Sequence, residues 1–166
     1  CIRDRLFSIG NRADSAALVY QVDYVLDGYV KKAGTNFVLS VGRLIGSQPE
    51  LKGEQRLRKE DIYWEMPRCY QWDITVNLPE GYRISPEGQE RLNVKVENDC
   101  GAFIVQATTE DGTLRIKAEK RINHKTEPVA NWEKLLEITD AANSYEALSI
   151  VFQATINPPT SPTTGY

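Results

Sequence analysis

The chain has 166 residues, 41% of them hydrophobic and 26% charged, with Lys+Arg 20 against Asp+Glu 23. That is the composition of one ordinary globular domain, long enough to bury about two-thirds of its unfolded surface. A formal charge of −3 argues against a nucleic-acid partner, which would need a clustered basic surface, and no apolar run approaches the roughly 18 residues of a membrane span.

The first residue is Cys1, and the residues after it have neither the basic flank nor the apolar centre of a signal peptide. The expectation is a mature or truncated product whose targeting signal lay upstream. Period-two alternation then begins: Leu18, Tyr20, Val22, Tyr24 and Leu26 alternate with more polar neighbours, and Phe37, Leu39 and Val41 repeat the pattern after Lys31-Lys32-Ala33-Gly34. Such alternation puts one face of a strand in a core and the other in water, so this stretch is expected to form a hairpin. Between Gly42 and Pro67 the alternation fails in a stretch rich in Gly, Pro and charge. A long connection is expected there, with a short strand near Ile62–Trp64.

From Tyr70 the pattern returns. Tyr70, Trp72, Ile74, Val76 and Leu78 share one face, and the strand stops at Pro79-Glu80-Gly81. Leu92, Val94 and Val96 form the next strand, the turn Asn98-Asp99-Cys100-Gly101 leads to Phe103, Val105 and Ala107, and Asp111-Gly112 turns the chain into Leu114, Ile116 and Ala118. Glycine tolerates the positive φ of a tight hairpin, so Asp111-Gly112 is a strong turn signal. Four strands in meander order are expected between Tyr70 and Ile122. One helix follows, near Val129–Asn143, with Trp132, Leu135, Leu136, Thr139 and Ala142 at helical spacing, opened by Thr126 or the residues around Pro128 and ended by Asn143-Ser144. A last strand runs through Leu148, Ile150, Phe152, Ala154 and Ile156. The Pro- and Thr-rich tail 157–166 has too little apolar surface to fold.

The fold class is therefore mainly β: an antiparallel β-sandwich of about seven to nine strands with one helix packed before the last strand. Residues 1–156 are expected to form one domain, with two small ones as the alternative.

The search for chemistry yields little. Cys1, Cys69 and Cys100 lie in no metal-binding spacing and read as buried thiols, with a Cys69–Cys100 bridge as the alternative. Cys100, His124 and Asp99 or Asp111 make the one triad that can be written, and it is weak because Cys100 falls in a turn between strands rather than at a helix N-terminus. Glu110 and Asp111 read as hairpin-tip chemistry rather than Ca²⁺ ligands. Gly42, Gly46 and Gly53 follow no phosphate-binding pattern. No catalytic residue, metal site or cofactor is assigned. Trp72 and Trp132 sit on apolar faces and are expected in the core. Tyr63 and Trp64, beside Arg56 and Arg58 in the poorly patterned stretch, make a candidate binding surface that could stack on sugar or dock a protein.

The order of features is more specific than any one motif. Met66-Pro67-Arg68, the strand Tyr70–Leu78, Pro79-Glu80-Gly81-Tyr82, the turn Asn98-Asp99-Cys100-Gly101-Ala102-Phe103, the hairpin, the helix and the closing strand resemble a known arrangement over about residues 62–153. It is similar to the β-sandwich domain of unknown function that follows a transglutaminase-like core in large exported proteins of Gram-negative bacteria. That resemblance implies a non-catalytic structural or interaction domain, periplasmic or at the cell surface, whose partners are the adjacent domains of the parent protein or another protein. The catalytic Cys, His and Asp of that architecture belong to the core, and none is carried onto this chain. An independent carbohydrate- or peptide-binding sandwich, contacting a polysaccharide or peptide, is the alternative.

Overall fold

The structure is a computed structural model that describes residues 25–155 in full and, before them, the backbone of two strands. Those two, β1 (Arg3–Ser8) and β2 (Val19–Asp23), pair antiparallel with each other. The remaining strands are β3 (Val30–Ala33), β4 (Asn36–Leu39), β5 (Ile62–Tyr63), β6 (Arg68–Asn77), β7 (Tyr82–Ile84), β8 (Val94–Asn98), β9 (Gly101–Glu110), β10 (Thr113–Ile122), β11 (Thr126–Glu127) and β12 (Ile150–Ala154). A short helix α1 (Pro86–Glu90) follows β7, and the long helix α2 (Trp132–Glu146) precedes β12. A large sheet has the order β6-β10-β9-β8 and a smaller one the order β3-β4-β12-β7, each antiparallel throughout. The mainly β, antiparallel architecture with one long helix before the last strand is as expected from the alternation pattern.

One apolar core joins the two sheets. Phe103, Val105, Leu114 and Ile116 of the large sheet meet Leu39, Ile150 and Phe152 of the small one, and α2 adds Ile138, Ala142 and Tyr145. Each fully buried Phe, Leu or Ile here contributes about 1.5–3 kcal/mol of transfer free energy. Helix α2 packs on β8 and β9 and covers one end of the large sheet. There Leu135, Ile62 and Cys100 form a second small core with Trp64, Ile122 and Trp132 against it.

Several connections differ from expectation. The four long strands are not a meander: β7 crosses to the small sheet, so β6 and β8 never meet, and β10 returns from the β9 hairpin to pair with β6 over ten residues. This is the Greek-key order, in which a strand adds to the free edge its long connection can reach. The N-terminal hairpin also differs. The partner of β4 is β3, closed by Gly34 at φ 63, while β2 pairs with β1. A two-residue turn zips its immediate neighbours at little loop-closure cost, and β3 escaped notice because all four of its residues are exposed. Leu26, expected on a buried face, is 42% exposed. Val41 begins a 3₁₀ turn, Val41–Ile45, instead of ending a strand, and Val41 and Ile45 are both buried in the core.

The expected short strand exists as β5, paired with β11. Asp111 and Gly112 both adopt positive φ, 47 and 71, as a tight hairpin requires. The helix is entered through a 3₁₀ turn at Val129–Asn131, whose first N–H is capped by the Asp61 carboxylate at 2.8 Å. It runs past Asn143-Ser144 because Tyr145, 3% exposed, is drawn into the core beside Phe103. Ile156 and the tail 157–166 lie outside the described residues, as does Cys1. Among the described residues no helix is long and apolar enough to cross a membrane.

Candidate functional site

The inner face of the large sheet is only partly roofed. Helix α2 covers β8 and β9, and on the β6 side a groove of about 450 Å³ is left between the sheet, α2 and the loop after the Val41–Ile45 turn. Its floor comes from the alternation itself: Arg68, Tyr70 and Trp72 occupy the inward positions of β6, and Lys120 and Ile122 those of β10. Trp64 closes one end, and Gln48 and Thr139 face the floor from the loop and the helix. The Tyr70 and Trp72 rings lie 22° from parallel with centroids 6.1 Å apart. Such a pair offers aromatic area to a planar or ring-shaped group.

The groove is cationic. Its lining holds Lys120 and Arg68 and no carboxylate. Lys120 Nζ donates to Gln48 Oε1 at 2.9 Å, and burial lowers the Lys120 pKa, because an ammonium loses hydration there without a counter-ion. Gln48 is itself held: its backbone N–H donates to the Glu146 carboxylate at the end of α2, and its Nε2 to the Ile45 carbonyl. The wall opposite the aromatic floor is therefore tied to the helix.

The four residues singled out from sequence do not converge. Ile62, Tyr63 and Trp64 alternate across an extended segment, so Trp64 faces the groove and the second core while Tyr63 points away, 64% exposed, with Lys125 Nζ 5.2 Å from its ring centre. Arg56 and Arg58 lie on another face. Arg56 makes a two-point ion pair with Asp140 of α2 at 2.8 and 2.7 Å, and its carbonyl accepts from Trp132 Nε1 at 2.8 Å. The Arg58 guanidinium stands 5.3 Å over the Trp132 ring. These contacts fasten the 53–58 segment to the helix. Sequence reasoning missed this group: Trp72, expected in the core, is only partly buried and lines the groove, and the signal that points to the site is Lys120, in phase with the buried Leu114, Ile116 and Ala118, an unusual place for a lysine.

Two of the triad residues, Cys100 and His124, share a neighbour that the triad did not include, Glu127. Glu127, 2% exposed, accepts from Asn131 Nδ2 at 2.7 Å, hydrogen-bonds His124 Nδ1, and lies against the Cys100 thiol. The carboxylate thus stands where a base would have to stand. Burial, with Glu127 and Asp99 nearby, pushes the Cys100 thiol up to about 11, so it is protonated at neutral pH. Burial on its own would raise the Glu127 carboxyl, but the hydrogen bonds from Asn131 and His124 outweigh it and hold the group below the ordinary carboxylate range. Asp99 pairs with Lys134 at 2.8 Å, and Asp111 sits at the far end of β9. Cys69 and Cys100 are both free. Cys69 is exposed on β6 and Cys100 precedes β9, so β10 separates them. Two strand spacings are about 10 Å, beyond the reach of a disulfide. Among the described residues no group of three or more His, Cys, Asp or Glu could hold a metal ion.

The fold and groove define a helix-capped antiparallel sandwich with an aromatic, cationic cleft at the edge of its larger sheet. The chain belongs to the family described as a Domain of Unknown Function with solved structure (DUF3858), whose model matches residues 41–152, about two-thirds of the chain. The match begins at the 3₁₀ turn that forms one wall of the groove, earlier than the expected 62. No curated protein and no solved structure matches the chain.

Proposed function

We propose that this chain is a non-catalytic interaction domain of a larger exported protein, where it accompanies a transglutaminase-like core and grips a protein partner through the groove beside β6. The observation that carries this reading is the groove itself: three aromatic rings and two cations, with no carboxylate, held on one side by a rigid sheet and on the other by a loop anchored to α2. Aromatic residues and arginine are the side chains most enriched where proteins bind one another. A protonated, buried Cys100 adds support, since the thiol best placed by sequence is poorly suited to attack a substrate. The test is co-purification of this domain with the neighbouring core of the parent protein, supplied as a separate chain. Trp72→Ala and Trp64→Ala should each weaken the complex while leaving the fold intact by circular dichroism. A complex that forms equally well with both variants, or none with the native domain, overturns the reading.

A second reading, an independent carbohydrate-binding module, is favoured by one observation, the near-parallel Tyr70 and Trp72 rings, because sugar faces stack on such surfaces. Titration with neutral and uronate-bearing oligosaccharides, read by tryptophan fluorescence, separates it from the first.

A further inference from the structure

The groove runs along a strand at the margin of the large sheet. That strand is β6, and among the described residues nothing pairs with the edge that faces away from β10. In an antiparallel ladder alternate residues turn their N–H and C=O groups outward, so this edge presents a row of unpaired donors and acceptors. Proteins usually blunt such an edge with a bulge, a proline, charged side chains or short length. Here the strand Arg-Cys-Tyr-Gln-Trp-Asp-Ile-Thr-Val-Asn is ten residues long, contains neither Lys nor Pro, and keeps unbroken register with β10 across all ten pairs. Its inward residues, Trp72, Ile74 and Val76, are only half-buried, and Tyr70 is 49% exposed. The strand has two charges, Arg68 turned into the groove and Asp73 on the other face, and its length and unbroken register leave room for a further strand.

We infer that β6 is a strand-addition site, at which an extended peptide of a partner protein pairs along the free edge and sets one acidic side chain into the groove against Lys120 and Arg68. This rests on the reading of the groove as an interaction site and specifies its occupant. An added strand would lie about 4.8 Å beyond β6, with alternate side chains on the same face as Tyr70 and Trp72. Main-chain hydrogen bonds would supply affinity, and the groove would select the side chains. The acidic character follows from charge: the lining offers two cations and no carboxylate, and Lys120 has a glutamine oxygen as its hydrogen-bond partner. A saccharide could use the rings and the cations but would leave the backbone row unpaired. The peptide uses both.

The test pans a phage-displayed library of random peptides, about eight residues long to match a typical strand, against the full chain. Enriched sequences should alternate apolar or aromatic residues with polar ones and carry Asp or Glu on the apolar face. A synthetic copy of the best binder should lose at least about tenfold in affinity for Lys120→Gln and keep most of it for Lys120→Arg. N-methylation of its alternate amides should abolish binding in one register and spare it in the other. No enrichment, enrichment without a carboxylate, or indifference to both methylation registers overturns the inference. If uronate oligosaccharides bind in place of peptides and Trp72→Ala weakens them, the strand-addition site falls while the groove remains a binding site. If Trp64→Ala and Trp72→Ala also leave the complex with the core unchanged, the interaction reading itself falls.

Discussion

Gly42 is the position at which the smallest substitution should do the most damage. A Cβ built there would stand 1.8 Å from the Tyr145 carbonyl oxygen and 2.7 Å from that of Glu146, both backbone atoms at the end of α2. Carbon and oxygen do not approach closer than about 3.3 Å even in weak C–H···O contacts, so the helix end and the 3₁₀ turn would have to separate by about 1.5 Å. That movement strains the hydrogen bonds Gly42 N–H to Leu148 O, at 3.0 Å, and Gln48 N–H to the Glu146 carboxylate. At about 1 kcal/mol each, added to the roughly 1–3 kcal/mol of overpacking, Gly42→Ala should cost about 3–5 kcal/mol. The comparison is Gly81→Ala, where φ is 79 but nothing lies within 4 Å, so the cost is that of the left-handed backbone alone, about 1–2 kcal/mol. Urea unfolding followed by circular dichroism measures both. If Gly42→Ala destabilises no more than Gly81→Ala, the 3₁₀ turn is not seated on α2 as described, and the wall of the groove is misplaced with it.

Phe103→Ala empties a fully buried position at the centre of the core and should cost about 3–5 kcal/mol in the same assay; a loss below about 1 kcal/mol would contradict the shared core of the two sheets. Glu127 predicts a pH dependence. Its carboxyl pKa in the folded protein is below the 4.5 of the free group, so the stability it contributes is present above about pH 4.5 and is lost as pH falls through the folded value. Glu127→Gln should therefore be less stable than the native chain at pH 7, with the gap closing on acidification; a gap that is constant from pH 7 to pH 3 contradicts the assignment. Thiol labelling at neutral pH, with Cys1 replaced by Ser, should modify the exposed Cys69 readily and Cys100 only after unfolding, and equal rates would show that the second core is not closed over Cys100.

The elements of this protein were largely legible residue by residue, because their signals are local. Alternation over Tyr70–Leu78 and Leu114–Ala118, the Asp111-Gly112 turn and the helical spacing from Trp132 each depend on neighbours along the chain, and each marks an element that formed. Pairing was legible only where a tight turn forced it, as between β9 and β10. The return of β10 to β6 depends on which edge stays open after β7 has crossed to the other sheet, and no local pattern records that choice. The site divides the same way. Lys120, in phase with a buried row, was a sign that something unusual occurs on that face, but periodicity does not say whether a face is roofed. Only the packing of α2 over β8 and β9 decided that Tyr70, Trp72 and Lys120 would border a groove while Arg56 and Arg58 were tied to Asp140 and Trp132. Along the long strands and α2, the sequence alone determined which residues turn inward. Tertiary structure decided which inward residues are covered, because burial depends on segments distant in the chain meeting across the core.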